Sequence, residues 1–220
     1  MTKISASILE VNPLRYYESI KEAVDAGISL IHFDITDGIY SRRISFGDRL
    51  VSSVLKSFSV SGEVHLMVSK PEIQVESFLN IEKVEAIYFH PEASSEPLEL
   101  IKKLKEKGIK AGIALTHPSE LNISLLEAAD RVLVLLVRPG EGGQKPDMNS
   151  IELISELRSF KDKNGLNFTI AADGGIKAEN LREIAVAGAE ILVIGTGIFS
   201  GKIPENVKKI KEALESAKTF

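Results

Sequence analysis

Four histidines are the residues of this sequence best placed for chemistry. They are His32, His65, His90 and His117, and each lies within or just after a short β-rich apolar segment, toward its C-terminal end. Imidazole exchanges protons near neutral pH and is a common metal ligand. One histidine at such a place is more often a satisfied core or loop residue, so the shared placement of all four carries the hypothesis of a functional site.

The segment around the first histidine alternates polar and apolar residues. Side chains of a strand point to opposite faces in turn, so His32, Asp34 and Thr36 share one face, while the residues between them are apolar. A buried carboxylate without a partner is costly, and a metal ion or an internal ion pair would relieve that cost at Asp34. Asp37 and Gly38, which follow, are typical of the turn that ends a strand.

Two further segments repeat this pattern. His65 and Met67 share a face of the third predicted strand, although Met67 taken alone is ordinary core filling. The seventh predicted strand ends in Asp173, followed by Gly174 and Gly175. Taken alone, Asp173 would cap the next helix or shape a turn. Together with Asp34, it adds a second carboxylate at strand ends, which favours a shared site.

Glycines cluster in the three loops that follow the last three predicted strands, at 139–144, 174–176 and 195–199. Glycine lets backbone N–H groups approach an anion closely, and barrel enzymes commonly hold phosphate in the loops after strands seven and eight. One glycine pair indicates only a turn. Three clusters in successive loops predict a phosphate site.

Eight short strands that alternate with amphipathic helices must position these residues. We predict strands at 3–8, 30–35, 62–68, 86–89, 110–115, 131–137, 169–172 and 191–194, and helices at 13–26, 48–58, 73–79, 97–107, 121–129, 148–163, 178–187 and 204–217. No linker divides the chain. The pattern predicts one α/β domain over 1–220, a closed (β/α)₈ TIM barrel, with an open doubly wound sheet as the alternative.

Composition narrows the function classes. The 220 residues include 44% apolar types and no cysteine, and the net charge is -4. Mild acidity argues against nucleic-acid and membrane partners, which require a basic face. Without cysteine there is no thiolate nucleophile and no disulfide. The start of the chain has no signal-peptide pattern and no apolar run approaches a membrane span, so we expect a cytoplasmic protein.

Short motifs occur in order along the eight predicted units. They are Ala6-Ser7-Ile8-Leu9, His32-Phe33-Asp34-Ile35-Thr36-Asp37-Gly38, His65-Leu66-Met67-Val68, His90-Pro91-Glu92, Pro139-Gly140-Glu141-Gly142-Gly143-Gln144-Lys145, Asp173-Gly174-Gly175 and Gly195-Thr196-Gly197. In this order and spacing the sequence resembles the ribulose-phosphate 3-epimerase family almost end to end. The resemblance implies a phosphate-binding barrel that inverts C3 of a ketose phosphate, interconverting D-ribulose 5-phosphate and D-xylulose 5-phosphate.

The resemblance also implies the roles of individual residues. One divalent metal ion would bind His32, Asp34, His65 and Asp173, a donor set that suits Zn²⁺, Mn²⁺, Fe²⁺ or Co²⁺. Asp34 and Asp173 would be the two acid/base carboxylates, one for each face of C3. Further substrate contacts would fall on Ser7, His65, Met67, Gly142, Gly143, Gly174, Gly175, Gly195 and Thr196. Family members are commonly dimers or larger, which implies a homo-oligomer, although the sequence itself shows no interface signature.

The sequence departs from the family pattern around the predicted substrate. Thr36 and Leu135 stand where methionines are usual, Ser41-Arg42-Arg43 replaces Val-Pro-Asn, and Glu141 and Pro146 each replace a phenylalanine. These changes leave the metal and proton-transfer residues in place but alter the substrate envelope. A 3-epimerase for a ketohexose phosphate, such as D-allulose 6-phosphate, is therefore the second hypothesis. A phosphosugar-binding barrel without catalysis is the third.

Overall fold

The computed structural model describes residues 2–116, 122–138 and 145–217. Eight parallel strands pair in chain order, and β8 pairs with β1, so that the sheet closes into a barrel. The strands are β1 (Lys3–Ser7), β2 (Leu30–Thr36), β3 (Ser61–Met67), β4 (Val84–Phe89), β5 (Lys110–Leu115), β6 (Arg131–Leu135), β7 (Thr169–Asp173) and β8 (Ile191–Ile194). The predicted TIM barrel is confirmed, and the open-sheet alternative is wrong.

The helices that surround the barrel are α1 (Tyr16–Asp25), α2 (Asp48–Ser57), α3 (Pro71–Gln74), α4 (Pro97–Glu106), α5 (Ile123–Ala128), α6 (Met148–Asn164), α7 (Leu181–Ala187), α8 (Thr196–Phe199) and α9 (Ile203–Ala217). The predicted helix at 73–79 is wrong in extent, because Pro71 begins a single turn that continues as a 3₁₀ turn over Val75–Ser77. The sequence prediction missed α8, since four residues are too few to show helical periodicity. Among the described residues, no helix is long and apolar enough to span a membrane.

Alternation along the strands gives the barrel two separate cores. The outward residues of β2, such as Phe33, are fully buried against the helices and belong to the large apolar core. The inward residues form a smaller cluster inside the barrel: Leu30, Ala86, Tyr88, Ala114, Leu133, Leu135, Ala171, Ile191 and Val193. The charged and polar residues of the predicted site lie on this inward face, above and beside the smaller cluster.

Some predicted strand boundaries differ from the structure, and some predicted site residues lie outside the described residues. β2 extends to Thr36, one residue further than predicted, whereas β6 ends at Leu135 rather than at Val137. His117, Gly142, Gly143 and Glu141 lie outside the described residues. The interpretation of residues 1–220 as one domain stays a prediction.

Candidate active site

Two imidazoles and two carboxylates converge at the carboxyl ends of β2, β3 and β7. His32, Asp34, His65 and Asp173 each offer one ligand atom, and these four atoms lie within 4.8 Å of one another. Both histidine side chains are fully buried, and Asp34 is 3% exposed. The alternation of β2 and β3 accounts for this arrangement, since Asp34 and His65 are register partners across the two strands.

Asp34 lies at the centre of the cluster. Its Oδ1 atom is 3.4 Å from Nε2 of His32 and 3.2 Å from Nδ1 of His65. Its Oδ2 atom accepts a hydrogen bond of 2.7 Å from the Ser7 hydroxyl of β1. Asp173 approaches from β7, with Oδ2 3.9 Å from Nδ1 of His65.

The two carboxyl groups have opposite pKa shifts. Burial opposes the ionisation of Asp34, but the positive charge of His32 and the hydrogen bond from His65 outweigh it and hold the pKa of Asp34 well below its usual range. At Asp173, burial and the nearby charge of Asp34 raise the pKa to about 7. Pairs of titratable groups whose pKa values are pushed apart are typical of acid/base sites.

Each of the two histidines has a partner behind the cluster. Nδ1 of His32 lies 3.0 Å from Oε1 of Glu63, and Nε2 of His65 lies 3.0 Å from Nε2 of His90. His90 in turn has Nδ1 3.2 Å from Oε1 of Glu92. One ring nitrogen of each histidine therefore faces the cluster while the other is held by a neighbour, an arrangement typical of metal-binding histidines.

The prediction from sequence missed Glu63 and the residues around it. Oε2 of Glu63 accepts a hydrogen bond of 2.7 Å from Nη1 of Arg131 and lies 3.2 Å from the hydroxyl of Tyr88. Burial opposes the ionisation of Glu63, but His32 and Arg131 outweigh it and keep the pKa of this carboxyl low. The sequence does contain a signal for Glu63. This residue lies two positions before His65, so strand alternation places both side chains on the same face of β3.

The residues predicted at the barrel mouth surround the cluster. Thr36 pairs in register with Met67, and Leu135 pairs with Asp173. The Thr36 hydroxyl is buried and makes no hydrogen bond with any residue that the structure describes. Both loop arginines are exposed, and Arg43 pairs with Glu10.

The glycine loops after β7 and β8 lie against each other beside the site. A Cβ on Gly197 would come 2.6 Å from the carbonyl oxygen of Ile176, so only glycine fits at this contact. A Cβ on Gly195 would lie 3.7 Å from Cβ of Ser7, which places this loop next to the Asp34 partner. Gly174, Gly175 and Thr196 lie in the same pair of loops.

The turn after β2 is fixed by Asp37, as its sequence predicts. Oδ1 of Asp37 accepts hydrogen bonds from the backbone N–H groups of Ile39 and Tyr40, and Oδ2 accepts one from Ser69 after β3. Partial burial opposes the ionisation of Asp37, but these donors outweigh it and lower its pKa to about 2. Asp37 therefore joins two loops at the mouth of the barrel.

We expect Asp37→Asn to destabilise the protein by about 1–2 kcal/mol at pH 7. The reason is that the ionised Asp37 carboxylate is more stable in the folded state, where it accepts three backbone hydrogen bonds, than in the unfolded state. Because the pKa of Asp37 is lower in the folded state, its contribution to the free energy of unfolding is fully present above the unfolded pKa of about 4. This contribution is lost as the pH falls to about 2. The difference between variant and parent in urea unfolding should therefore shrink over this range. Asp162→Asn, an exposed change on α6, is the control. A difference independent of pH would contradict this account.

A closed (β/α)₈ barrel with imidazoles and carboxylates clustered at the carboxyl ends of its strands has the architecture of a barrel enzyme. The sequence model of the ribulose-phosphate 3-epimerase family matches residues 3–199, and the chain belongs to this family. As a member, it is an isomerase of the epimerase type that acts on carbohydrates.

Curated relatives agree with the family assignment, and a solved structure agrees with the fold. The chain is 34% identical over 219 residues to ribulose-phosphate 3-epimerase of Buchnera aphidicola from Acyrthosiphon pisum, covering 97% of this chain and 95% of the relative. It is 36% identical over 217 residues to the enzyme of Methanocaldococcus jannaschii, covering 97% and 91%. The structure of 3-hexulose-6-phosphate synthase from Salmonella typhimurium superposes with a TM-score of 0.74 at 15% identity, covering 98% of this chain and 100% of that chain, which shows the shared fold alone.

Proposed function

We propose that this protein interconverts D-ribulose 5-phosphate and D-xylulose 5-phosphate by inverting C3 through two-base proton transfer. The observation that carries the proposal is the pair of carboxyl groups, Asp34 and Asp173, which come from the separate strands β2 and β7 and meet His32 and His65 in one cluster. Family membership and the names of the relatives support the same activity.

The reaction requires one proton to leave C3 and another to arrive from the opposite face. C3 is next to the ketone, so removal of its proton leaves an enediolate. Asp34, held ionised by His32 and His65, is suited to accept the proton on one face. Asp173, which approaches from β7, is suited to donate a proton on the other face. The reverse reaction exchanges the two roles.

The four clustered side chains fit one divalent metal ion. Nε2 of His32 is buried and makes no hydrogen bond with the described residues, so this nitrogen would be available to a ligand once it has lost its proton. His32, Asp34, His65 and Asp173 would hold the ion, and their nitrogen and oxygen donors suit Zn²⁺, Mn²⁺, Fe²⁺ or Co²⁺. When bound, such an ion stabilises negative charge that develops on substrate oxygens.

The remaining predicted contacts would orient the sugar phosphate. Backbone N–H groups at Gly174, Gly175, Gly195 and Thr196 would bind the phosphate, together with Gly142 and Gly143, which lie outside the described residues. Ser7 would lie near the reacting oxygens, because its hydroxyl already contacts Asp34. Met67 would cover the reacting carbons. The homo-oligomer and the cytoplasmic location stay predictions.

Removal of the metal tests the proposal directly. We expect chelator-treated, desalted protein to lose at least about 100-fold of its epimerase activity toward D-ribulose 5-phosphate, and one equivalent of Zn²⁺, Mn²⁺, Fe²⁺ or Co²⁺ to restore it. Circular dichroism before and after treatment serves as the control for folding. Full activity in the metal-free protein would exclude the proposed metal centre.

A ketohexose phosphate is the second candidate substrate, and the observation that favours it is the buried Thr36 hydroxyl, which has no hydrogen-bond partner in the part of the chain that the structure describes. A larger or differently hydroxylated sugar would provide that partner. Comparing kcat/KM for pentulose and hexulose phosphates separates the candidates, and a strong pentulose preference would exclude the hexulose. Failure of every ketose phosphate to exchange its C3 proton with solvent deuterium would instead favour a non-catalytic binding protein.

A further inference from the structure

A buried chain of charged and polar groups lies beneath the candidate metal centre. Glu63 is fully buried, and Arg131 is 2% exposed although it begins strand β6. We propose that Glu63, held in place by Arg131 and Tyr88, is a positioning residue that orients the His32 ring for metal binding. This inference rests on the proposed metal site at His32, Asp34, His65 and Asp173.

The two oxygen atoms of Glu63 have separate partners. Oε1 lies 3.0 Å from Nδ1 of His32, while Oε2 contacts Arg131 at 2.7 Å and Tyr88 at 3.2 Å. Rotation of the carboxylate would break contacts on both sides at once. With Nδ1 of His32 bonded to Glu63, Nε2 lies 3.4 Å from Oδ1 of Asp34 and is the nitrogen left to bind a metal ion after losing its proton.

Arg131 makes this arrangement possible inside the barrel. A carboxylate removed from water requires a charged or hydrogen-bonding partner, and Arg131 supplies both. Its second terminal nitrogen, Nη2, is paired with Glu85 at the start of β4, so the guanidinium bridges two strands. This planar, multiply bonded geometry is specific to arginine, because a lysine ammonium has no such fork.

Gly112 provides the space for the third partner of Glu63. A Cβ at this position of β5 would overlap the Tyr88 ring, which lies across the interior of the barrel. Tyr88 is fully buried, and its hydroxyl also lies 3.4 Å from Nη1 of Arg131. Three neighbouring strands, β4, β5 and β6, therefore contribute to the position of one carboxylate on β3.

Metal affinity tests the proposal without relying on turnover. We expect metal-free Glu63→Gln to bind Co²⁺ about 10- to 100-fold more weakly than the parent, measured by competition with a chromophoric chelator. Glu85→Gln is the matched control, because it removes the other carboxylate partner of Arg131 but does not touch His32. Its Co²⁺ affinity should stay within about threefold of the parent. Thermal unfolding of each metal-free protein reports whether the variant is folded.

The outcomes separate this inference from the proposed function. A folded Glu63→Gln protein with the parent affinity for Co²⁺ would overturn the positioning role while leaving the metal site intact. Equal weakening in Glu63→Gln and Glu85→Gln would also overturn it, because the loss would then come from charge near Arg131. A parent protein that binds no Co²⁺ would overturn both. Weak binding in Glu63→Gln alone, with partial recovery in Glu63→Asp, supports the proposal.

Discussion

Replacing either Asp34 or Asp173 with asparagine is expected to lower kcat for epimerisation by about 10²–10⁴-fold. The asparagine amide has the size of the carboxylate and keeps one oxygen atom that can bind a metal ion, but it cannot act as a general base. Because the two groups would serve opposite faces of C3, neither can replace the other. Rates measured from each epimer, together with the unfolding temperature of each variant, check this expectation.

Solvent exchange makes the same experiment more specific. In heavy water, each variant should still exchange the C3 proton of one epimer, since one base remains, and the two variants should act on opposite epimers. Asp162→Asn, on the exposed face of α6, is the control and should match the parent. A variant at Asp34 or Asp173 that epimerises within about threefold of the parent rate would exclude the two-base assignment.

Replacement of Arg131 by methionine is expected to destabilise the protein by about 3–5 kcal/mol, because it leaves the Glu63 carboxylate buried without its charged partner. The measurement is urea unfolding of the metal-free protein, which separates this effect from metal binding. Arg49→Met, on the exposed face of α2, is the matched control and should change stability by less than about 0.5 kcal/mol.

The double variant Arg131→Met/Glu63→Gln distinguishes a lost ion pair from lost packing. Removing both charges takes away the unpaired buried carboxylate, so much of the stability should return. If the double variant were as unstable as the sum of the two single variants, the Arg131 effect would come from packing of its long side chain. The charge-pairing account would then be wrong.

Alternation of polar and apolar residues made the fold and the cluster predictable. In β2, the order of His32, Asp34 and Thr36 between apolar residues indicates which side chains point inward, and the same rule applies to His65 on β3. Eight such segments separated by helices favour a closed barrel over an open sheet, and the β1–β8 pairing confirms the closure. Sequence therefore specifies the face of each strand and, through parallel topology, the end at which these residues meet.

The supporting network was not predictable by the same rule. Arg131 stands at the first position of its strand, where a charged side chain normally reaches solvent, and nothing local indicates that it points inward. Its burial depends on Glu63, 68 residues earlier in the chain. The space for Tyr88 likewise depends on a missing side chain at Gly112 on the next strand. Such pairings arise from cross-strand geometry, which single-segment patterns do not contain.

The packed interior beneath the cluster has a consequence for the order in which ligands arrive. Arg131, Tyr88, Leu133 and Leu30 are each at most 5% exposed and fill the barrel below His32. An ion cannot enter from that end, so cation and sugar must share the entrance at the carboxyl ends of the strands. A sugar seated over the four donor side chains would then obstruct the path of the ion. For the proposed metal site we therefore expect ordered loading, with the cation first and the sugar second, so that excess sugar phosphate slows reconstitution of the metal-free protein.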